Sequence, residues 1–186
     1  MKNIGILSLQ GAFIEHKKIL TELGCNCIEL RQKKDLSNLD GIVLPGGEST
    51  VQGKLLKDLG MFQPLKDLIQ EGIPVLATCA GLILLARHIQ DDSTTHFATL
   101  PVTVKRNAYG RQTGSFKTIQ DFKNLGSTEM TFIRAPSIEE VQDQVAILAS
   151  YNNKPVAVQY KKQLALAFHP ELDADKKIHR YFIDML

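Results

Sequence analysis

The chain is poor in cysteine, carries almost no net charge and lacks a long apolar run. Its three cysteines, an odd number, do not make a disulfide framework. Cys25 and Cys27 form a lone C-x-C without a second ligand pair, so they read as small hydrophobes on one face of a strand. A formal net charge of +2 gives no basic face for nucleic acid, and Lys17-Lys18 and Lys33-Lys34 read as solvated surface. The longest apolar stretch, near residues 74–86, falls well short of the ~20 residues that cross a bilayer. The opening "MKNIGILSLQGAF" has no cleavage pattern of a secretory signal and reads as a strand. A cytoplasmic location is expected. The sequence shows no internal repeat, low-complexity tract or linker, which leaves one domain over residues 1–186.

What is present is globular: 44% hydrophobic residues with 23% charged. Apolar runs at 4–9, 27–30, 41–44 and 73–78 read as strands. Between them, residues 12–23 carry helical spacing up to Gly24, and 51–71 reads as helical with a division near Gly60. Continuous apolar strands joined by helices imply right-handed crossovers and a parallel sheet buried on both faces. The expected fold is α/β, a three-layer, flavodoxin-like, doubly wound and mostly parallel sheet. Additional short strands follow in the second half, with a last helix at about 173–186.

Ligands of such sheets bind at the carboxyl ends of the strands, where this chain places unusual loops. Ala77-Thr78-Cys79-Ala80-Gly81 lies between a strand and a helix, with small residues flanking the cysteine as a nucleophile elbow requires. There the helix N-terminus favours thiolate, and the Ala80 N–H is available to an oxyanion. A buried structural cysteine is the plain alternative. Pro45-Gly46-Gly47 stops the third strand and lets backbone amides approach a bound group, with Ser49 or Thr50 expected to cap the next helix. A phosphate loop is excluded, because the glycine spacing of "GESTVQGKL" is wrong and Leu55 stands where magnesium needs a hydroxyl. In "FHPEL", His169 ends a strand and Glu171, two residues on, can orient its ring. His16, His88, His96 and His179 read as structural or exposed. Nucleophile, base, orienting acid and backbone oxyanion donors together suit acyl transfer through a thioester.

In this order, "PGGES", "TCAGL" and "FHPE" resemble the class I, triad-type glutamine amidotransferases. "GILSLQGAFIEH", "RNAYGRQ" at 106–112 and "FIRAP" at 132–136 are similar to the glutaminase subunits of pyridoxal 5′-phosphate synthases, and the similarity runs over nearly the whole chain. The resemblance implies hydrolysis of L-glutamine to glutamate and ammonia. The ammonia would pass through a tunnel to a barrel-shaped synthase subunit that makes the vitamin B6 cofactor. It implies Cys79 as nucleophile, His169 as base and Glu171 as its partner. Gly46, Gly47, Glu48, Arg106, Ile133 and Arg134 are implied around glutamine, with the Gly47 and Ala80 amides as oxyanion donors. Gln10, at the end of the first strand, is a candidate for sensing the partner; capping the first helix is its alternative. No metal, cofactor, nucleic acid or membrane is expected.

Ala77, Ala108, Tyr109 and Ser137 depart from the family pattern, where Gly, Ser, Phe and His are usual. Three other readings stay open on the residues alone. They are a stand-alone cysteine hydrolase, a non-catalytic binding subunit, and an amidotransferase feeding another acceptor.

Overall fold

The computed structural model describes residues 1–108 and 114–186. The first half runs β1 (Asn3–Leu7), α1 (Phe13–Glu22), β2 (Asn26–Leu30), β3 (Gly41–Leu44), α2 (Ser49–Asp58), α3 (Phe62–Gln70), β4 (Val75–Thr78) and α4 (Ala80–Leu85). The second half adds β5 (Ala86–Ile89), β6 (Leu100–Lys105), β7 (Ser115–Phe122), β8 (Gly126–Ile133) and β9 (Ser137–Val141). It closes with β10 (Ala146–Tyr151), β11 (Lys154–Tyr160), β12 (Gln163–Leu166) and α5 (Lys177–Asp184).

A seven-stranded sheet in the order β10-β11-β12-β4-β3-β1-β2 is the scaffold. From β12 to β2 every pairing is parallel, and β10 and β11 extend one edge antiparallel. Every residue of β3, β4 and β12 is buried, as strands covered on both faces require. The chain moves outward from β1 to β2, then crosses to β3 and β4 on the other side of β1. The loops after β1 and β3 therefore diverge at a topological switch point, where such sheets form their crevice. A three-stranded sheet (β5-β6-β9) and the β7-β8 hairpin make up the additional strands.

Local chemistry explains the helix boundaries. α1 buries His16, Ile19 and Leu20 on one face and is followed by Gly24 at φ +85°. Gly60, at φ +65°, divides α2 from α3. Four expectations need correction. The helix expected after Cys79 is short: α4 ends at Leu85 and β5 begins at Ala86, because the apolar run from Ala80 to Ala86 offers no periodicity to mark the change. β9 is likewise additional to the strands expected. α2 starts at Ser49, and its cap is Glu48 rather than Ser49 or Thr50. α5 starts at Lys177, because Pro170–Leu172 forms a separate 3-10 turn. Cys25 is buried just ahead of β2, and Cys27 is half-buried within it. Among the described residues no helix is long and apolar enough to cross a membrane.

Candidate active site

Cys79 sits where β4 turns into α4, at φ +49° and ψ −102°. A side chain in that region costs about 1–3 kcal/mol and persists only when the surroundings hold it. Here the Cys79 N–H donates to the Leu166 carbonyl of β12 at 2.8 Å. Gly81 lets α4 seat on the end of β3, since a Cβ there would lie 2.1 Å from the Leu44 carbonyl oxygen. The thiol, nearly buried, contacts the Ile133 carbonyl at 3.9 Å. Ala80 opens α4, so its N–H has no acceptor within the helix.

His169 follows β12, the strand beside β4, and its N–H donates to the Thr131 carbonyl of β8 at 2.7 Å. Its Nδ1 lies 2.6 Å from Glu171 Oε1. Burial disfavours the imidazolium, but the bond to Cys79 and the Glu171 carboxylate outweigh it and push its pKa up to about 10. Glu171 is buried too. Burial works against its charge, while His16 and His169 hold its pKa below the ordinary carboxylate value. Burial also lowers the pKa of His16, so its imidazole is neutral at pH 7.

The Pro45-Gly46-Gly47 loop closes over this pair. The Gly46 N–H donates to Thr78 Oγ1 at 3.1 Å, and its carbonyl accepts from the Ala12 N–H at 3.0 Å. A trans peptide then turns the Gly47 N–H away from Ala12, and no hydrogen bond takes it up among the described residues. A Cβ on Gly46 would lie 2.4 Å from His169 Cε1, so the ring lies directly on the glycine. Gln10 Oε1 accepts the Glu48 N–H at 2.7 Å, and Gln52 Nε2 donates to the Gln10 and Pro45 carbonyls at 3.0 and 3.3 Å. Gln10 thus ties down the glycine loop and does not cap α1, whose cap position is Ala12.

A cavity of about 500 Å³ opens among these elements, lined by Cys79, Ala80, Gly46, Gly47, Glu48 and His169. Gln10, Arg106, Ile133 and Arg134 line it too, so the candidate residues from the sequence converge here, with Glu171 buried behind His169. The Glu48 carboxylate accepts from Thr50 and Val51 at the start of α2. Arg106 Nη1 donates to Ser49 Oγ and Thr50 Oγ1 at 2.8 and 3.1 Å, while Asp92 stands 3.5 Å from Nη2. Arg134 is held at φ +43°, and its N–H donates to the Gly114 carbonyl at 2.6 Å. Of the departures from the family pattern, Ala77 is buried in β4 and Ser137 hydrogen-bonds Glu139. Tyr109, Arg111 and Gln112 lie outside the described residues.

Sequence reasoning missed His16, His179 and Thr78. Both histidines are fully buried, with their rings 3.0 Å apart at the nearest nitrogens, and His16 Nε2 reaches Thr78 Oγ1 at 3.3 Å. Helical spacing held the signal. His16 shares the apolar face of Ile19 and Leu20, and His179 that of Ile178 and Phe182.

A strained cysteine at the end of one parallel strand, beside a histidine–carboxylate pair at the end of the next, is the arrangement of a cysteine-dependent acyl-transfer site. The chain belongs to the SNO glutamine amidotransferase family, whose model matches residues 6–186. A pyridoxal 5′-phosphate synthase subunit PdxT from Desulfitobacterium hafniense is 59% identical over 184 residues, covering 98% of this chain and 92% of its own. The protein of that name from Haemophilus influenzae is 53% identical over 186 residues, with 98% and 97% covered. A crystal structure of a glutamine amidotransferase superposes with a TM-score of 0.94 at 40% identity, covering 98% of this chain and 97% of that one.

Proposed function

We propose that this chain is the glutaminase subunit of a pyridoxal 5′-phosphate synthase, a single cytoplasmic domain over residues 1–186. It hydrolyses L-glutamine to L-glutamate and ammonia and delivers the ammonia to a barrel-shaped synthase subunit. The observation that carries the reading is Cys79, strained at its elbow and bonded to a His169 that Glu171 orients, in a cavity roofed by the Gly46-Gly47 loop. Family membership supports glutamine as the amide, and the PdxT relatives support the synthase as the partner.

The mechanism follows from these positions. His169, whose protonated form is favoured by Glu171 and by the bond to Cys79, takes the thiol proton for the attack. The Cys79 sulfur adds to the side-chain amide carbon of glutamine, and the carbonyl electron pair moves to oxygen. The Gly47 and Ala80 amides are the donors for that oxyanion. His169 passes its proton to the departing nitrogen, ammonia leaves, and a glutamyl thioester remains. His169, now neutral, takes a proton from water as the water adds to the thioester. Collapse of that adduct releases glutamate and restores the starting pair. Arg106 and Arg134 supply positive charge for the α-carboxylate of glutamine at the rim of the cavity.

Gln10 links the site to the partner. It lies at the cavity edge and accepts the Glu48 N–H, so a partner that engages Gln10 moves the peptides beside the oxyanion donors. The test is ammonia release from glutamine by the chain alone and with a pyridoxal 5′-phosphate synthase subunit, with Cys79→Ala as the blank. Release is expected only with the partner, to vanish in Cys79→Ala and to lose its partner stimulation in Gln10→Ala. Strong release without a partner would make the chain a free-standing amidase. Silence with a demonstrably docked partner would make it non-catalytic.

A further inference from the structure

Behind the triad lies a second polar cluster. Glu171 uses Oε1 on His169, and Oε2 has no hydrogen bond of good geometry among the described residues. The polar atom facing Oε2 is His16 Nε2, at 3.3 Å, with both side chains fully buried. The same nitrogen lies 3.3 Å from Thr78 Oγ1, which accepts the Gly46 N–H. His16 Nδ1 meets His179 Nε2 at 3.0 Å, and His179 Nδ1 has no partner among the described residues.

Proton bookkeeping selects one arrangement. An ionised carboxylate only accepts, so a bare His16 Nε2 would set lone pair against anion in a dry site. His16 must therefore carry its proton on Nε2, leaving Nδ1 to accept from a His179 Nε2–H. This places a lone pair rather than an N–H on the unpartnered His179 Nδ1, and orphaned buried N–H groups are the rarer defect. The opposite tautomers would leave the Thr78 hydroxyl as the donor to Nε2, but would still set that lone pair 3.3 Å from the Glu171 carboxylate and orphan an N–H on His179 Nδ1. Burial lowers the pKa of both imidazoles and keeps them neutral, as this arrangement needs.

We propose that His16 is a positioning residue of the active site. Its Nε2–H donates to the Thr78 hydroxyl that fixes Gly46 and lies 3.3 Å from the outer oxygen of Glu171, whose charge it supports, and His179 sets the tautomer that lets it do so. One side chain of α1 thereby registers the triad carboxylate against the oxyanion loop, and α5 supports it from behind. The kinetic half of this inference rests on the glutaminase reading; the tautomers do not.

Long-range proton–nitrogen correlation on the ¹⁵N-labelled full chain at pH 7.5 reads the tautomers directly. His16 and His179 are both expected with the proton on Nε2. His16 found protonated on Nδ1, or on both nitrogens, overturns the proposal, and this measurement needs no variant to fold. For turnover, His16→Leu removes the donor, while His16→Gln returns an amide N–H near the Nε2 position. With the synthase subunit present, His16→Leu is expected to lower kcat about 10- to 100-fold with KM for glutamine nearly unchanged. His16→Gln should recover most of that loss. An unchanged kcat in the leucine variant, a loss confined to KM, or a glutamine variant as poor as leucine overturns the role. If the parent chain releases no ammonia with the synthase docked, the glutaminase reading fails instead, and the tautomers are still decided by the spectrum.

Discussion

Replacing Gly46 by alanine tests how closely the glycine loop and the triad are fitted. The new Cβ would lie 2.4 Å from His169 Cε1, whereas ordinary contacts begin near 3.4 Å. About 1 Å must therefore open between loop and ring. The φ of Gly46 lies outside the left-handed region, so alanine adds no backbone strain and the effect is the collision alone. The loop resists moving, because the Gly46 N–H is held by Thr78 at 3.1 Å and its carbonyl by Ala12 at 3.0 Å. The ring must yield, which stretches its 2.6 Å bond to Glu171 and turns its other nitrogen away from Cys79. A misplacement of about 1 Å at reacting groups costs about 10²-fold in rate. Ammonia release at saturating glutamine, with the synthase subunit present, should thus fall about 100-fold in Gly46→Ala, while thermal unfolding shows a folded protein. Turnover within threefold of the parent chain would refute the reasoning and mean that the loop relaxes freely.

Two further predictions concern stability. Gly81→Ala drives a Cβ to 2.1 Å from the Leu44 carbonyl oxygen, a backbone atom of β3 that cannot swing aside, and should cost about 2–3 kcal/mol in urea unfolding; an unchanged midpoint would show that α4 is not seated tightly on β3. The second concerns acid. The folded pKa of His179 is pushed down to about 3 by burial, and that of His16 is lowered for the same reason, so their neutral forms contribute fully above 6.5 and the contribution is lost as pH falls toward 3. His169 has the opposite sign. Its contribution is complete below 6.5 and declines as pH rises from there toward about 10, so a comparison that starts at pH 6.5 is nearly free of it. At pH 5 a neutral buried imidazole has given up about 2 kcal/mol, before depressed carboxylates such as Glu171 titrate. Urea unfolding at pH 6.5 and pH 5 should show that fall in the parent chain and a smaller one in His179→Leu. Equal midpoints at the two pH values would show that the pair is already charged in the folded state.

Much of the site was legible because it is built from short local patterns. His169 and Glu171 are two residues apart, and a proline between them keeps the turn tight. Cys79 sits between small residues at a strand-to-helix junction, and the double glycine ends a wholly apolar strand. The parallel core was equally readable, since its strands are apolar on both faces. The departures lie where local pattern carries no direction. In the apolar stretch from Ala80 to Ala86, helix and strand look alike. At residue 48, a glutamate took the cap that a serine or threonine was expected to hold.

The sequence by itself determined the strands and helices of the parallel core, the loops at their ends and the chemical types those loops present. Only the tertiary structure decided which buried polar groups meet. His16 and His179 are separated by 163 residues and His16 and Thr78 by 62, so no spacing rule connects them. They come together because the switch point of the sheet gathers the ends of β1, β4 and β12, and α5 packs its polar atom against α1. Within that dry space an unpaired carboxylate oxygen is costly, and the imidazole chain behind Glu171 is the response to that cost.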